Sequence, residues 1–258
     1  MDDGFLAQLT QLYRERLPAG GTILELGASH ISHLPDDVAY VRGLRVGFAS
    51  FALQRSRVLC ERHASVCTAA FARADAACTR AQTVVGTGLN AEEVRRGAKR
   101  RCHGAELFAR AQLSRNPRLS RFFVRDLNAQ PDGWALADAS YDAVICCVSV
   151  QYYAEPEKVF AEVARVLKPG GVAIFSFSTR MFATKAIQAW RDGTPYSRVQ
   201  LVRSYFAAVR GFGAPELVTE VALPGADTPL GQLGAAFSRF MGMSGDPFYA
   251  VLAKRVEP

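Results

Sequence analysis

No stretch of the 258 residues stays apolar for the roughly 20 positions that a membrane-spanning helix requires, so no membrane span is expected. The opening residues, MDDGFLAQL, are acidic, which suits neither a secretory leader nor an Arg-rich transit peptide. Six cysteines over this length make no disulfide framework, and a reduced, cytoplasmic setting is the expectation. Cys60, His63 and Cys67 would share one face of a helix, but the spacing matches no familiar zinc pattern, so no metal is expected. There are no internal repeats. What is present is ordinary for a globular chain: 49% hydrophobic and 21% charged residues, enough for one α/β domain with a full core.

The net charge of +7 invites a nucleic-acid reading, but its placement argues against one. Residues 44–112 hold 12 basic and 5 acidic side chains, whereas the remainder holds 19 of each. One segment carries the whole excess, and a basic run is more often a solvated face than a binding site. Nucleic acid is therefore not expected as a partner, and the oligomeric state is not readable.

The most informative stretch runs from Tyr141 to Ser178, YDAVICCVSVQYYAEPEKVFAEVARVLKPGGVAIFSFS. Ala143 to Val150 is apolar and uncharged, as in a parallel strand covered on both faces. Cys146 and Cys147 within it point to opposite faces and read as small core residues. Pro156 sits where a first helical turn tolerates it, flanked by Glu155 and Glu157 at the positive helix end. Val159, Phe160, Val163, Val166 and Leu167 recur at helical spacing. Lys168 then falls in the last turn, Pro169-Gly170-Gly171 stops the helix, and Val172 to Phe177 is a second buried strand. Strand, helix and strand in this order make a parallel βαβ unit.

Asp142, the apolar strand, the helix and LKPGG before a hydrophobic strand together resemble the second half of class I S-adenosylmethionine (SAM)-dependent methyltransferases, most of all the type 11 small-molecule domains. The resemblance implies a Rossmann-like α/β fold with a seven-stranded, mostly parallel sheet whose last strand inserts antiparallel beside the fifth. Phe5 to Arg16 reads as an amphipathic helix carrying Leu6, Leu9, Leu12 and Tyr13 on one side. Strands are expected at 22–27, 83–88, 121–127, 141–148, 171–177, 217–223 and 248–254, and further helices at 182–191 and 198–210.

Between the first two expected strands lie residues 28–82, far more than the usual connection of about 2–6 residues plus one helix. Residues 95–112 form a second excess. Removing 44–82 and 95–112 leaves text closer to the compact form of the group. The chain therefore reads as a single methyltransferase-like domain over 1–258 with insertions at 44–82 and 95–112.

Methyltransferases of this class carry an acidic-x-Gly-x-Gly loop after the first strand, where glycine admits the methionine part of SAM. Here Glu25 and Gly27 match, Ala28 lies between, and Ser29 replaces the second glycine. The second strand should end in an acidic residue for the ribose hydroxyls; this chain has Asn90, which with Glu93 is equally a capping box. Asp126-Leu127 match the adenine-contacting position, although Asp126 also reads as a turn residue. Val148 begins the loop after the fourth strand, which in the family faces sulfonium and substrate. Tyr152 in that loop and His33 at the crevice mouth, near His30, are the candidate catalytic side chains.

The expected activity is SAM-dependent methyl transfer to a small molecule. Two alternatives stand beside it. The altered glycine loop favours a catalytically inactive, methyltransferase-like binding module. Gly86-x-Gly88-x-x-Ala91 imitates the fingerprint of an NAD(P)-dependent oxidoreductase, but Glu92 and Glu93 would repel the pyrophosphate. Arg180 and Lys185 are candidates for an anionic substrate, or plain solvated residues.

Overall fold

The computed structural model describes residues 1–28, 33–35, 37–38, 43–47, 119–221 and 245–257. A helix, α1 (Asp3–Arg16), leads into β1 (Ile23–Ala28) and β2 (Gly43–Gly47), and the sheet resumes with β3 (Leu119–Val124) and β4 (Tyr141–Cys147). A 3-10 turn (Val150–Tyr152), α2 (Pro156–Val166) and β5 (Leu167–Phe177) complete the βαβ unit. The short α3 (Gln188–Arg191), α4 (Pro195–Ala207), β6 (Glu216–Val218) and β7 (Tyr249–Lys254) follow. The strands pair in the order β3-β2-β1-β4-β5-β7-β6. Pairings are parallel from β3 to β5 and antiparallel for β5–β7 and β7–β6.

Alternation along the strands divides the core into two layers. Leu24, Leu26, Val144, Cys146, Ala173, Phe175 and Phe177 face α2, α3 and α4, where Phe160, Trp190 and Phe206 fill the space. Ile23, Ala143, Ile145, Val172 and Ile174 face α1, against Phe5, Leu9, Leu12 and Tyr13. Phe160 stacks on Phe175 at 4.3 Å between centroids and meets Tyr205 and Phe206 edge-on. Such pairs add to area burial. Cys146 and Cys147 divide between the two layers as the pleat requires.

Three expectations need correction. The strand beside β1 is Gly43–Gly47, so residues 44–47 of the segment read as an insertion are part of the sheet, whereas Thr83–Gly88 lies outside the described residues. β2 pairs on both sides, and its contribution to the sheet arises from that position, not from a local sequence signal. The helix ends at Val166, and Leu167 already belongs to β5. Lys168 does not complement a helix end: its ammonium reaches both carboxylate oxygens of Asp142 at 2.8 Å, and Asp142 also accepts the Thr22 N–H. Gly170 takes φ 77°, which permits the turn within LKPGG. Of 182–191 only Gln188–Arg191 is helical; Phe182 to Ile187 turns back so that Ile187 N–H reaches Gln151 O.

α1 is held at its start by Asp2, whose carboxylate accepts the Phe5 N–H at 2.9 Å as an N-cap. Asp2 and Asp246 also exchange backbone N–H to carboxylate bonds, and Asp246 pairs with Arg180. This lock places α1 across one face of the sheet. Among the described residues no helix is long and apolar enough to cross a membrane.

Candidate functional site

Neighbouring β1 and β4 mark the point where the strand order reverses, since β2–β3 continue to one side and β5 to the other. In open α/β sheets ligands bind outside the carboxyl ends of the strands at such a point. Two residues in the left-handed region flank the seam. Gly27 has φ 73° at the end of β1, where the register with β2 shifts between Leu26 and Ala28. Val148 has φ 44° directly after β4. For glycine this geometry is free, but for a β-branched residue it costs on the order of 1–2 kcal/mol. The Val148 N–H donates to Ser176 O at 2.8 Å, which holds the strained turn in place. Strain of this kind concentrates at binding sites.

Below Gly27, Glu25 points to the α1 side, between Leu24 and Leu26 that face the other way. It is only 6% exposed, and its strand neighbours are Arg45 of β2 and Ile145 of β4. Tyr13 of α1 lies close enough for the Glu25 charge to bear on it. Burial, reinforced by Cys147, Glu25 and Cys146, pushes the Tyr13 hydroxyl well above its ordinary pKa. Burial likewise pushes the Cys147 thiol up, and the Cys146 thiol up to about 11. Both cysteines are therefore thiols near neutral pH and carry no nucleophile. Cys146 is anchored by Ser149 Oγ at 3.0 Å and Tyr153 Oη at 3.4 Å.

On the far side of the seam, Asp126 serves its own turn. One carboxylate oxygen accepts the N–H groups of Asn128 at 2.9 Å and Ala129 at 3.1 Å. Leu127 is fully buried against the α2-side core. Asn128 then bridges to the loop after β4: its Nδ2 donates to Tyr152 O at 3.0 Å, and its Oδ1 accepts the Ala154 N–H at 2.8 Å. Tyr152 accepts the Phe182 N–H at 3.0 Å, joining that loop to the segment after β5. Burial raises the Tyr152 hydroxyl above its usual pKa, so it stays protonated and is no base near neutral pH. Gln151 is 1% exposed, and its Oε1 has no hydrogen-bond partner among the described residues.

The structure thus brings Glu25, Gly27 and Val148 together at the seam, with Asp126, Leu127 and Tyr152 on its flank. Ala28 extends β1 into it. Ser29, His30 and Asn90 lie outside the described residues. His33 is partly buried, and its carbonyl accepts from Thr10 Oγ1 of α1 at 3.3 Å. Arg180 pairs with Asp246, and Lys185 Nζ lies 6.0 Å from the Phe182 ring centre. No group of three or more metal-ligating side chains occurs among the described residues. A groove of about 570 Å³ between α2 and the end of α4 is lined by Lys158, Arg165, Arg210 and Arg255 and by none of the seam residues.

Sequence reasoning missed the part of Asn128, which ties the turn after β3 to the loop after β4. Asn128 offered a readable signal, a polar residue directly after Asp-Leu at a strand end.

Residues 67–175 match the methyltransferase domain family. This bears out the resemblance carried by Tyr141–Ser178. The match begins downstream of β1 and its glycine loop. No curated protein matches the chain. Among solved structures, one similar chain comes from the complex between the Haloferax volcanii Trm112 methyltransferase activator and the putative methyltransferase. It is 16% identical with a TM-score of 0.50, over 99% of this chain and 91% of that one. The CurJ carbon methyltransferase is 13% identical with a TM-score of 0.49, over 98% of this chain and 54% of that one. A putative methyltransferase from Bacillus halodurans is 10% identical with a TM-score of 0.44, over 98% and 99%. At such identities the Haloferax likeness speaks for a Rossmann-like methyltransferase fold and for nothing finer.

Proposed function

We propose that the chain binds SAM at the β1–β4 seam and transfers its methyl group to a small molecule. The observation that carries this reading is the pair of left-handed residues, Gly27 and Val148, facing each other across the switch point with Glu25 beneath. The methyltransferase-domain match over 67–175 supports it.

The residues present fit the cofactor. Glu25 offers a buried carboxylate to a cationic ammonium, and Gly27 lets the backbone come close without a Cβ. Ala28 and Ser29 continue that loop, and the small Ser29 side chain stands where a relative has glycine. Asn90 is assigned to the ribose hydroxyls, Asp126-Leu127 to the adenine edge, and the Val148 backbone to the reacting end. When bound, SAM supplies a methyl group on a sulfonium, already activated for one in-line displacement. The protein's own part is alignment and exclusion of water. Tyr152 and Asn128 hold the loop after β4 against Phe182, and that loop forms the acceptor side. With the Tyr152 hydroxyl kept protonated by burial, its part is positioning. We further assign the chain to one domain, with an insertion that starts after Gly47 and a second over 95–112.

The reading is tested by calorimetric titration of the full chain with SAM and with S-adenosylhomocysteine. Saturable binding of both is expected. A well-folded protein that binds neither overturns the proposal. A second reading, a methyltransferase-like module without catalysis, is favoured by one observation: the family match leaves out β1 and the loop where Ser29 replaces glycine. That module would bind partners without taking up either ligand. The oxidoreductase reading rests on Gly86–Ala91, outside the described residues, and gains no support.

A further inference from the structure

The segment after β5 is clasped at both ends by one buried cation that the reading above leaves unused. Thr179 to Trp190 leaves the carboxyl end of β5 and runs past the loop after β4. There the Phe182 N–H donates to Tyr152 Oη at 3.0 Å and the Ile187 N–H to Gln151 O at 3.1 Å. Arg198, near the start of α4, bonds the two ends of that segment: Nε donates to Trp190 O at 2.8 Å and Nη1 to Thr179 O at 3.4 Å. Its guanidinium lies over the Trp190 ring, 5.8 Å from the ring centre, and the residue is only 8% exposed.

Both bonds go to neutral carbonyls. Among the described residues Arg198 forms no ion pair, whereas Arg180 pairs with Asp246 and Arg165 with Glu162 and Asp138. Burying a charge is costly unless it is paired, and two carbonyls do not require one: a glutamine amide donates to them as well. The guanidinium has five N–H groups, of which two are used. No Arg198 nitrogen is among the fully enclosed, unpaired side-chain atoms, so part of the fork stays open to a ligand.

The open fork and the single charge select the ligand. A carboxylate is planar, matches the fork and brings one negative charge against one positive. A phosphate dianion would leave a second charge uncompensated in the same buried place. The clasped segment also carries Met181 and the 41%-exposed Phe182, whose ring lies 6.5 Å from that of Tyr152, an apolar surface for the rest of such a molecule.

We infer that Arg198 is a specificity-determining residue: its open fork takes the carboxylate of a methyl acceptor with an apolar body. This rests on the methyl-transfer reading of the seam and names its substrate class. It places the anion preference on a cation inside the fold, in place of Arg180 and Lys185.

The test titrates the full chain, with and without S-adenosylhomocysteine, against benzoate, its neutral isostere benzamide, and phenyl phosphate. Wild type and Arg198→Gln are compared, and each is also melted. Wild type is expected to bind benzoate about tenfold or more tighter than benzamide, and tighter than phenyl phosphate. Arg198→Gln should abolish that preference and leave benzamide within about twofold. Benzoate bound no better than benzamide, or not at all, overturns the inference, as does a preference that survives the substitution. Phenyl phosphate bound tighter than benzoate overturns the carboxylate assignment. Equal weakening of benzoate and benzamide by the substitution assigns Arg198 to holding the segment alone, and overturns it too. Should the variant not melt cooperatively, wild type decides through the two tryptophans of the chain. Benzoate should shift the indole N–H resonance of Trp190 and not that of Trp134, whose Nε1 donates to Pro131 O; an unmoved Trp190 overturns the inference. Wild type that prefers benzoate through Arg198 but takes up no S-adenosylhomocysteine fails the SAM reading, and the acceptor assignment with it. Uptake of S-adenosylhomocysteine without a benzoate preference fails this inference alone.

Discussion

The two faces of the sheet are built from the same strands and differ in what they bury. The face under α2, α3 and α4 is packed with aromatic rings: Phe160, Phe175, Phe177, Trp190, Tyr205 and Phe206. The face under α1 is largely aliphatic, and towards the carboxyl ends of the strands it takes in Glu25, Ser176 and Tyr13. Aromatic packing tolerates no loss of volume, and a buried polar cluster adds little stability unless it is satisfied. One face therefore serves chiefly stability, and the proposed cofactor chemistry lies at the upper end of the other. Substitutions on the two faces should separate unfolding from binding.

The largest effect is expected from Phe160→Ala, which removes a ring stacked on Phe175 and touching two more. A loss of about 3–5 kcal/mol in denaturant unfolding is expected. A loss below about 1 kcal/mol would mean that this face is not the stabilising one. Asp2→Ala is next. It removes the cap of α1 and the bond to Asp246, with an expected loss of about 1–2 kcal/mol. Hydrogen bonds from Phe5 and Asp246, in that order, hold the Asp2 carboxyl below its usual value. A depressed carboxylate stabilises above its unfolded pKa of about 4 and loses that contribution as pH falls through the native value. Wild type should thus lose stability more steeply than Asp2→Ala as the pH falls below about 4. Parallel pH profiles would detach Asp2 from the anchoring of α1.

The smallest effect tests the strained turn at the seam. Val148→Gly and Val148→Ala both remove the isopropyl group, and only glycine is relaxed at φ 44°. The glycine variant should be the more stable of the two by about 1 kcal/mol in the same unfolding measurement. Equal stabilities would show that the turn stores no strain.

The aromatic face was legible from the chain, because Val159, Phe160, Val163 and Val166 at helical spacing and the apolar runs of β4 and β5 state their burial locally. Glu25 and Gly27 were legible through the resemblance to methyltransferases. The boundary of β5 was not: LKPGG carries helix-stop signals, and Lys168 turned instead to Asp142, a partner 26 residues away. Asp126 was legible both as a cofactor position and as a turn residue, and its turn bonds are what the structure shows. Asn128 was half legible: a polar residue after Asp-Leu could be read from the chain, but its partners, Tyr152 and Ala154, are supplied by tertiary packing.

The central claim, that the polar end of the α1 face holds the cofactor through Glu25, is tested most directly by the dissociation constant of S-adenosylhomocysteine for Glu25→Gln against wild type. The substitution keeps size and removes charge. Saturable binding by wild type and a loss of about tenfold or more in the variant are expected, with both proteins melting cooperatively. Equal affinity in two folded proteins would contradict the account.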